Sequence, residues 1–218
     1  MSRRTRLAIL LSVLFVLSAI FLGYYYTTYT AHAKEKALNF ITKDNNDRVR
    51  VRPFSFVNQE GKTITEKDME GRITVVNYFF ATCEDVCPKM NENVAKVYKA
   101  YRGDKDVLFL SHTVDPETDV PDTLAAYGRR FDADPAQWMF LTGDKKKLYN
   151  QAQASYLLAA TEDTAGVSIK DAFIHSQYVV LVDRHGNLRT RGSDAYDGLN
   201  PGDMQHLIED IKVLKKEQ

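Results

Sequence analysis

Cys83 and Cys87 are the only cysteines among 218 residues. Three residues separate them in the run Cys83-Glu84-Asp85-Val86-Cys87-Pro88. Two cysteines are too few for a disulfide scaffold or a four-thiolate zinc site. If the segment is helical, the i, i+4 spacing stacks the thiols one turn apart on one face, where they can pinch one soft ion. A helix beginning there also favours thiolate, through the partial positive charge of its N-terminus. The bland reading is a buried cystine or a pair of inert core thiols. A lone C-x-x-x-C carries little information by itself, so a third ligand matters. His175, in Phe173-Ile174-His175-Ser176, is the candidate, with Asp171 four residues earlier as either a supporting or a solvated carboxylate. His112 is expected to be structural, on a strand beside Asp115. Met90 is expected to be core. His32, His185 and His206 fall in a linker, a turn and a polar helix face. No Gly-rich phosphate loop, serine-triad signature or paired zinc motif accompanies them.

These residues need a scaffold, and the hydrophobic pattern supplies one. Asn58-Gln59-Glu60-Gly61 reads as a hairpin turn between the loosely alternating Val49–Val57 and Thr63–Thr65. Residues 73–80 (ITVVNYFF) and 107–114 (VLFLSHTV) are continuous apolar runs, as expected for strands covered on both faces. The spacing predicts helices over 87–101, 121–131 and 145–158, with Pro121 in a first turn. A short strand is expected at 138–141. A hairpin follows, 178–183 and 188–191 around Arg184-His185-Gly186-Asn187. Asn200-Pro201 opens a last helix carrying Met204, Leu207, Ile208, Ile211 and Leu214. This order is the α/β, thioredoxin-like layout with an N-terminal β-hairpin. The cysteines then lie between a buried strand and an amphipathic helix, which strengthens their signal. Oxidoreductases of that fold more often place two residues between the cysteines. They also carry a cis-proline in the loop before the hairpin strand. The six prolines here are at 53, 88, 116, 121, 135 and 201, and His175 occupies that loop. This favours ligation over dithiol exchange.

The N-terminus differs from the rest. Arg3, Arg4 and Arg6 precede an apolar run from Leu7 to Gly23, followed by Tyr24, Tyr25, Tyr26 and Tyr29. Such a run is at the short end for a spanning helix, and the tyrosines can extend it as an interfacial belt. The arginines keep that end cytoplasmic, which exports everything after it. Ala31-His32-Ala33 offers the rival reading of a cleaved signal peptide. We favour an uncleaved anchor, because that site lies far beyond the apolar run. The expected organisation is an anchor at 1–30, a tether at 31–48 and a thioredoxin-like domain at 49–218. The whole chain has 29 basic and 29 acidic residues. That balance gives no sign of a nucleic-acid partner, which would need a concentrated basic face.

Three segments together resemble a family: VVNYFFATCEDVCPKM, LSHTVDPETD and FIHSQYVVLVDRHGN. They are similar to the Sco/SenC proteins, membrane-anchored copper proteins of cytochrome c oxidase assembly, over roughly residues 50–214. The resemblance implies copper ligation by Cys83, Cys87 and His175. It also implies delivery of copper to the copper-binding subunit of the oxidase. Many members have an acidic residue immediately before the histidine, where Ile174 stands here. Two thiolates and an imidazole suit Cu(I), and can hold Cu(II) with a weak further ligand. Oxidation of the pair to a disulfide should expel the metal, so a copper donor and a thiol reductant are expected partners. The expected location is the bacterial inner membrane, with the soluble domain on the periplasmic side. A metallochaperone is not an enzyme in the usual sense. The alternatives are a thiol-disulfide oxidoreductase, with Cys83 and Cys87 as its catalytic pair, keeping oxidase copper-site cysteines reduced, or a copper-dependent redox sensor.

Overall fold

The computed structural model describes residues 3–35, 38–42, 47–158, 177–192 and 195–217. The chain divides into two units, Met1–Ala37 and Leu38–Gln218. The first contains helix α1, Arg3–Glu35. Its stretch Arg3–Tyr26 holds an 18-residue window with a mean hydropathy of 2.6 and is long and apolar enough to cross a membrane. At 1.5 Å per residue, the 33-residue helix spans about 50 Å, more than a hydrocarbon core of about 30 Å. Phe15, Phe21 and Leu22 are among its exposed apolar side chains. The helix backbone continues through Ala31-His32-Ala33, the candidate cleavage site.

The second unit is a nine-stranded mixed sheet. Its strands are β1 (Asn39–Phe40), β2 (Ser55–Asn58), β3 (Thr63–Thr65), β4 (Ile73–Phe79), β5 (Val107–Thr113), β6 (Trp138–Thr142), β7 (Tyr178–Val182), β8 (Leu188–Thr190) and β9 (Tyr196–Asp197). The order across the sheet is β1-β8-β7-β4-β5-β6-β2-β3, with β9 paired to β7. Strands β4 and β5 run parallel with Val75 opposite Phe109, and β5 and β6 are also parallel. Among the described residues its α-helices are α2 (Val86–Ala100), α3 (Pro121–Arg129), α4 (Lys145–Tyr156) and α5 (Pro201–Leu214). Every residue of β4 and β5 is buried, because the sheet is covered on both faces. Alternation along a strand divides the core in two. Val75 and Phe79 pack with Val94, Tyr98, Leu124, Leu207 and Ile211 of α2, α3 and α5. Val76 and Tyr78 belong to the opposite layer, with Leu148, Ala152 and Tyr156 of α4. This is the expected thioredoxin-like layout, with the β2–β3 hairpin added antiparallel to β6.

Two stretches differ from the sequence reading. Residues 49–57, read as one loosely alternating strand, form a strand only from Ser55, with an isolated bridge between Arg50 and Asn187. Within the segment read as a tether, Asn39 and Phe40 pair with Thr190 and Arg189 as β1. Two residues carry no periodicity, so this strand is set by tertiary contacts. The buried Arg189 donates to the Leu38 carbonyl at 3.0 Å, and its guanidinium lies 4.3 Å from the Phe40 ring. Arg48 lies 3.7 Å from the same ring.

Candidate metal centre

β4 delivers the chain into a turn at the C-terminal end of the parallel strands, and α2 carries it away. The Cys83 N–H donates to the Phe80 carbonyl at 3.2 Å. The Ala81 N–H donates to both carboxylate oxygens of Asp119, at 3.1 and 3.3 Å. Asp119 is fully buried and also accepts the Thr113 hydroxyl, so it ties the cysteine turn to the end of β5. Asp85, at the start of α2, makes no side-chain cap. It pairs instead with Lys89 at 2.7 Å, where both side chains are largely exposed and the pair adds little stability.

One of the free N–H groups of the first helical turn is taken by sulfur. The Cys87 N–H donates to Cys83 Sγ at 3.3 Å. The two thiols therefore meet because Cys83 caps the helix that contains Cys87. They are not stacked on consecutive turns of one helix, since α2 begins only at Val86. Cys83 is half-buried and Cys87 is buried, and neither is in a disulfide. Burial, then the hydrogen bond with Cys83, pushes the Cys87 thiol up to about 12, while backbone groups at Phe80 and Cys87 oppose the rise. The expected stabilisation of thiolate by the helix start is thus outweighed at Cys87 by desolvation. Two sulfurs sharing a half-open turn form a soft donor pair, and a cation there would compensate the burial of negative charge.

His175, Asp171 and Ile174 lie outside the described residues. The sheet register nevertheless sets Val179 opposite Asn77, so β7 begins beside the end of β4 that leads to Cys83. Met90 is fully buried in the core, as expected. His112 is also structural: it lies in the middle of the sheet, stacked on Tyr78 with ring centroids 4.8 Å apart. His185 and His206 are exposed, and His32 is in α1. Among the described residues no cluster of three His, Cys, Asp or Glu side chains could hold a metal, and of the three candidate ligands only the two sulfurs are described. Asp119 escaped the sequence reading as a positioning group. Its acidity was visible in LSHTVDPETD, but its bond to Ala81 spans 38 residues and only the fold creates it.

The sequence model of the SCO1/SenC family matches residues 42–212, nearly the whole globular unit. The chain belongs to the SCO1/SenC family. A relative, the SCO1 protein homolog of Bacillus subtilis, is 27% identical over 163 residues, covering 74% of this chain and 81% of that protein. A crystal structure of a SCO1/SenC family lipoprotein from Bacillus anthracis is 29% identical with a TM-score of 0.65, covering 77% of this chain and 96% of that one. Bradyrhizobium japonicum ScoI, whose structure has copper bound, is 23% identical with a TM-score of 0.55 over 78% of this chain and 99% of that one, and shares the fold. For this SCO1/SenC protein the matched region includes the cysteine turn, residue 175 and Asp119.

Proposed function

We propose that this protein binds copper as cargo through Cys83, Cys87 and His175 and delivers it to the copper-binding subunit of cytochrome c oxidase during assembly. The observation that carries the reading is the pair of reduced sulfurs held together at a half-exposed turn by the Cys87 N–H···Sγ bond. Family membership and the copper held by B. japonicum ScoI support copper as the ion. Ligation requires both thiols to lose their protons, and a soft monovalent cation is the partner that makes this favourable at Cys87. Disulfide formation removes two electrons and two protons from the pair and abolishes the donor set. Loading is therefore gated by thiol redox state, and a reductant in the exported compartment must keep the pair open. The apolar helix α1 anchors the chain in the inner membrane of a bacterium, with the arginines inside and the globular unit in the periplasm.

One observation favours a second reading, a thiol-disulfide oxidoreductase acting on the oxidase subunit. The unequal exposure of Cys83 and Cys87 suits an attacking and a resolving thiol. His175→Ala in the full-length protein in detergent separates the two. The copper reading expects copper retention to fall at least tenfold and oxidase assembly in the cell to fail with it, whereas the oxidoreductase reading expects assembly to continue with disulfide exchange intact. Copper binding that survives both His175→Ala and Cys87→Ser would refute the ligand set.

A further inference from the structure

The connection from β5 to α3 holds one carboxylate from two sides. Thr113 is the last residue of β5 and is buried. Its Oγ1 accepts the Asp115 N–H at 2.9 Å, while its hydroxyl proton goes to Asp119. The Asp115 carbonyl accepts the Thr118 and Asp119 N–H groups at 3.1 and 2.9 Å. Asp119 is thus fixed through its backbone and through its side chain, immediately before α3 begins at Pro121. Held in this way, the buried carboxylate takes the Ala81 N–H at 3.1 and 3.3 Å.

Ala81 is two residues from the first sulfur. The bond from the Cys83 N–H to the Phe80 carbonyl closes a β-turn whose central residues are Ala81 and Thr82. Ala81 has only a methyl group and Thr82 is exposed, so the side chains at the centre of the turn give it little grip. The grip comes from the neighbouring strand. The β4–β5 ladder runs on to the bond from the Val114 N–H to the Phe79 carbonyl at 2.9 Å, and Asp119 to Ala81 is the tie beyond it. The turn then ends on Cys83, whose sulfur takes the Cys87 N–H at 3.3 Å. A chain of bonds therefore runs from the end of β5 to the sulfur that meets Cys87. Buried polar networks with every member satisfied are rigid. Two sulfurs kept in one geometry lose less freedom when they close on an ion or on each other.

We propose that Asp119 is a positioning residue for the cysteine pair: its bond to Ala81 holds the turn so that Cys83 stays within reach of Cys87. The inference rests on the copper reading for its biological use, but the same positioning acts on the metal-free pair. There the balanced exchange is protein disulfide plus two glutathione thiols to protein dithiol plus glutathione disulfide. The protein S–S bond breaks, the glutathione S–S bond forms, and the two thiol protons pass to Cys83 and Cys87. Loosening the turn lowers the effective concentration of one sulfur at the other, which disfavours both the disulfide and two-sulfur chelation.

The test compares Asp119→Ala, Asp119→Asn, Thr113→Val and Gln59→Ala with the parent chain, all full-length in detergent. Asp119→Ala should move the glutathione equilibrium about fivefold towards the dithiol, the size of one net hydrogen bond. It should weaken Cu(I) binding by about the same factor. Asp119→Asn keeps an oxygen for the Ala81 N–H and should restore most of both. Thr113→Val releases the carboxylate from β5 and should move both readouts in the same direction. Gln59 lies in the β2–β3 turn, away from the cysteines, and bonds to the Trp138 carbonyl and the Phe140 N–H. Gln59→Ala should lower the melting temperature and leave the sulfur readouts at parent values, which separates positioning from loss of stability. An Asp119→Ala equilibrium equal to that of the parent would overturn the inference. So would Asp119→Asn shifting as far as Asp119→Ala, or Gln59→Ala shifting equally. If Asp119→Ala does not fold, a Thr113→Val equilibrium equal to that of the parent would overturn it instead. A parent chain that takes no copper would defeat the copper reading, and the glutathione equilibrium would still decide this one.

Discussion

His112 shows what the core demands of one residue. Both ring nitrogens are buried without a hydrogen bond among the described residues, inside a box formed by Phe54, Phe56, Tyr78 and Tyr156. Burial lowers its pKa to about 3, opposed by the Asn77 backbone. The folded value lies below the unfolded one, so the unfolded chain binds a proton that the folded chain refuses. Stability is then complete above pH of about 6.5 and declines as pH falls towards about 3. The loss is on the order of 4 kcal/mol. His112→Phe removes this titration, so its urea midpoint should fall less between pH 7 and pH 4 than that of the parent; parallel declines would contradict the assignment. The sequence pattern placed His112 on a buried strand and so gave its structural role, but its neighbours come from β2 and the residue before it, β4 and α4.

At the scale of elements, the cysteine helix is seated by close approach. Gly198, just after β9, donates to the Gln177 carbonyl at 2.8 Å and accepts Asn93 Nδ2–H from α2 at 2.9 Å. A Cβ at Gly198 would lie 2.7 Å from both the Gln177 carbonyl oxygen and Met90 Cγ. Met90 is one turn beyond Cys87, so Gly198→Ala should lift the start of α2 and destabilise the unit by about 1–3 kcal/mol. The readouts are the thermal midpoint and the alkylation rate of Cys87, which should rise; an unchanged rate would mean that α2 does not move. Long elements were legible because their periodicity is strong: β4, β5, α2 and α5 lie within one or two residues of the expected bounds. β1 and β9, two residues each, were not, since hydrogen bonds to distant chain define them. The spacing stacks the thiols only if the segment is helical, and capping of the helix by the Cys83 sulfur is a detail that no spacing rule reveals.

On the scale of the whole molecule, the globular unit is closed by charge at its ends. Arg189 donates to Asp183 at 3.3 Å and to Glu217 at 2.8 and 3.1 Å, joining β8, the β7–β8 turn and the residues after α5. The side chains of Arg189 and Asp183 are both buried. Removing one partner leaves an uncompensated charge, so Arg189→Ala should cost about 3–5 kcal/mol. Trp138 is the only tryptophan and is fully buried, so its fluorescence reports on this unit alone during denaturation. A loss below 1 kcal/mol would show that the network is dispensable. The layer architecture and the sulfur pair could be read from sequence. The ties through Asp119 and Arg189 could not, because each joins residues far apart in the chain.

The central claim is that one copper ion is held by both sulfurs and His175. Anaerobic Cu(I) titration of the reduced full-length protein in detergent, with X-ray absorption at the copper edge, tests it most directly. One copper per chain, with two sulfur neighbours and one nitrogen that is lost in His175→Ala, is the predicted result. Copper bound with fewer than two sulfurs, or a nitrogen that persists in the variant, would contradict it.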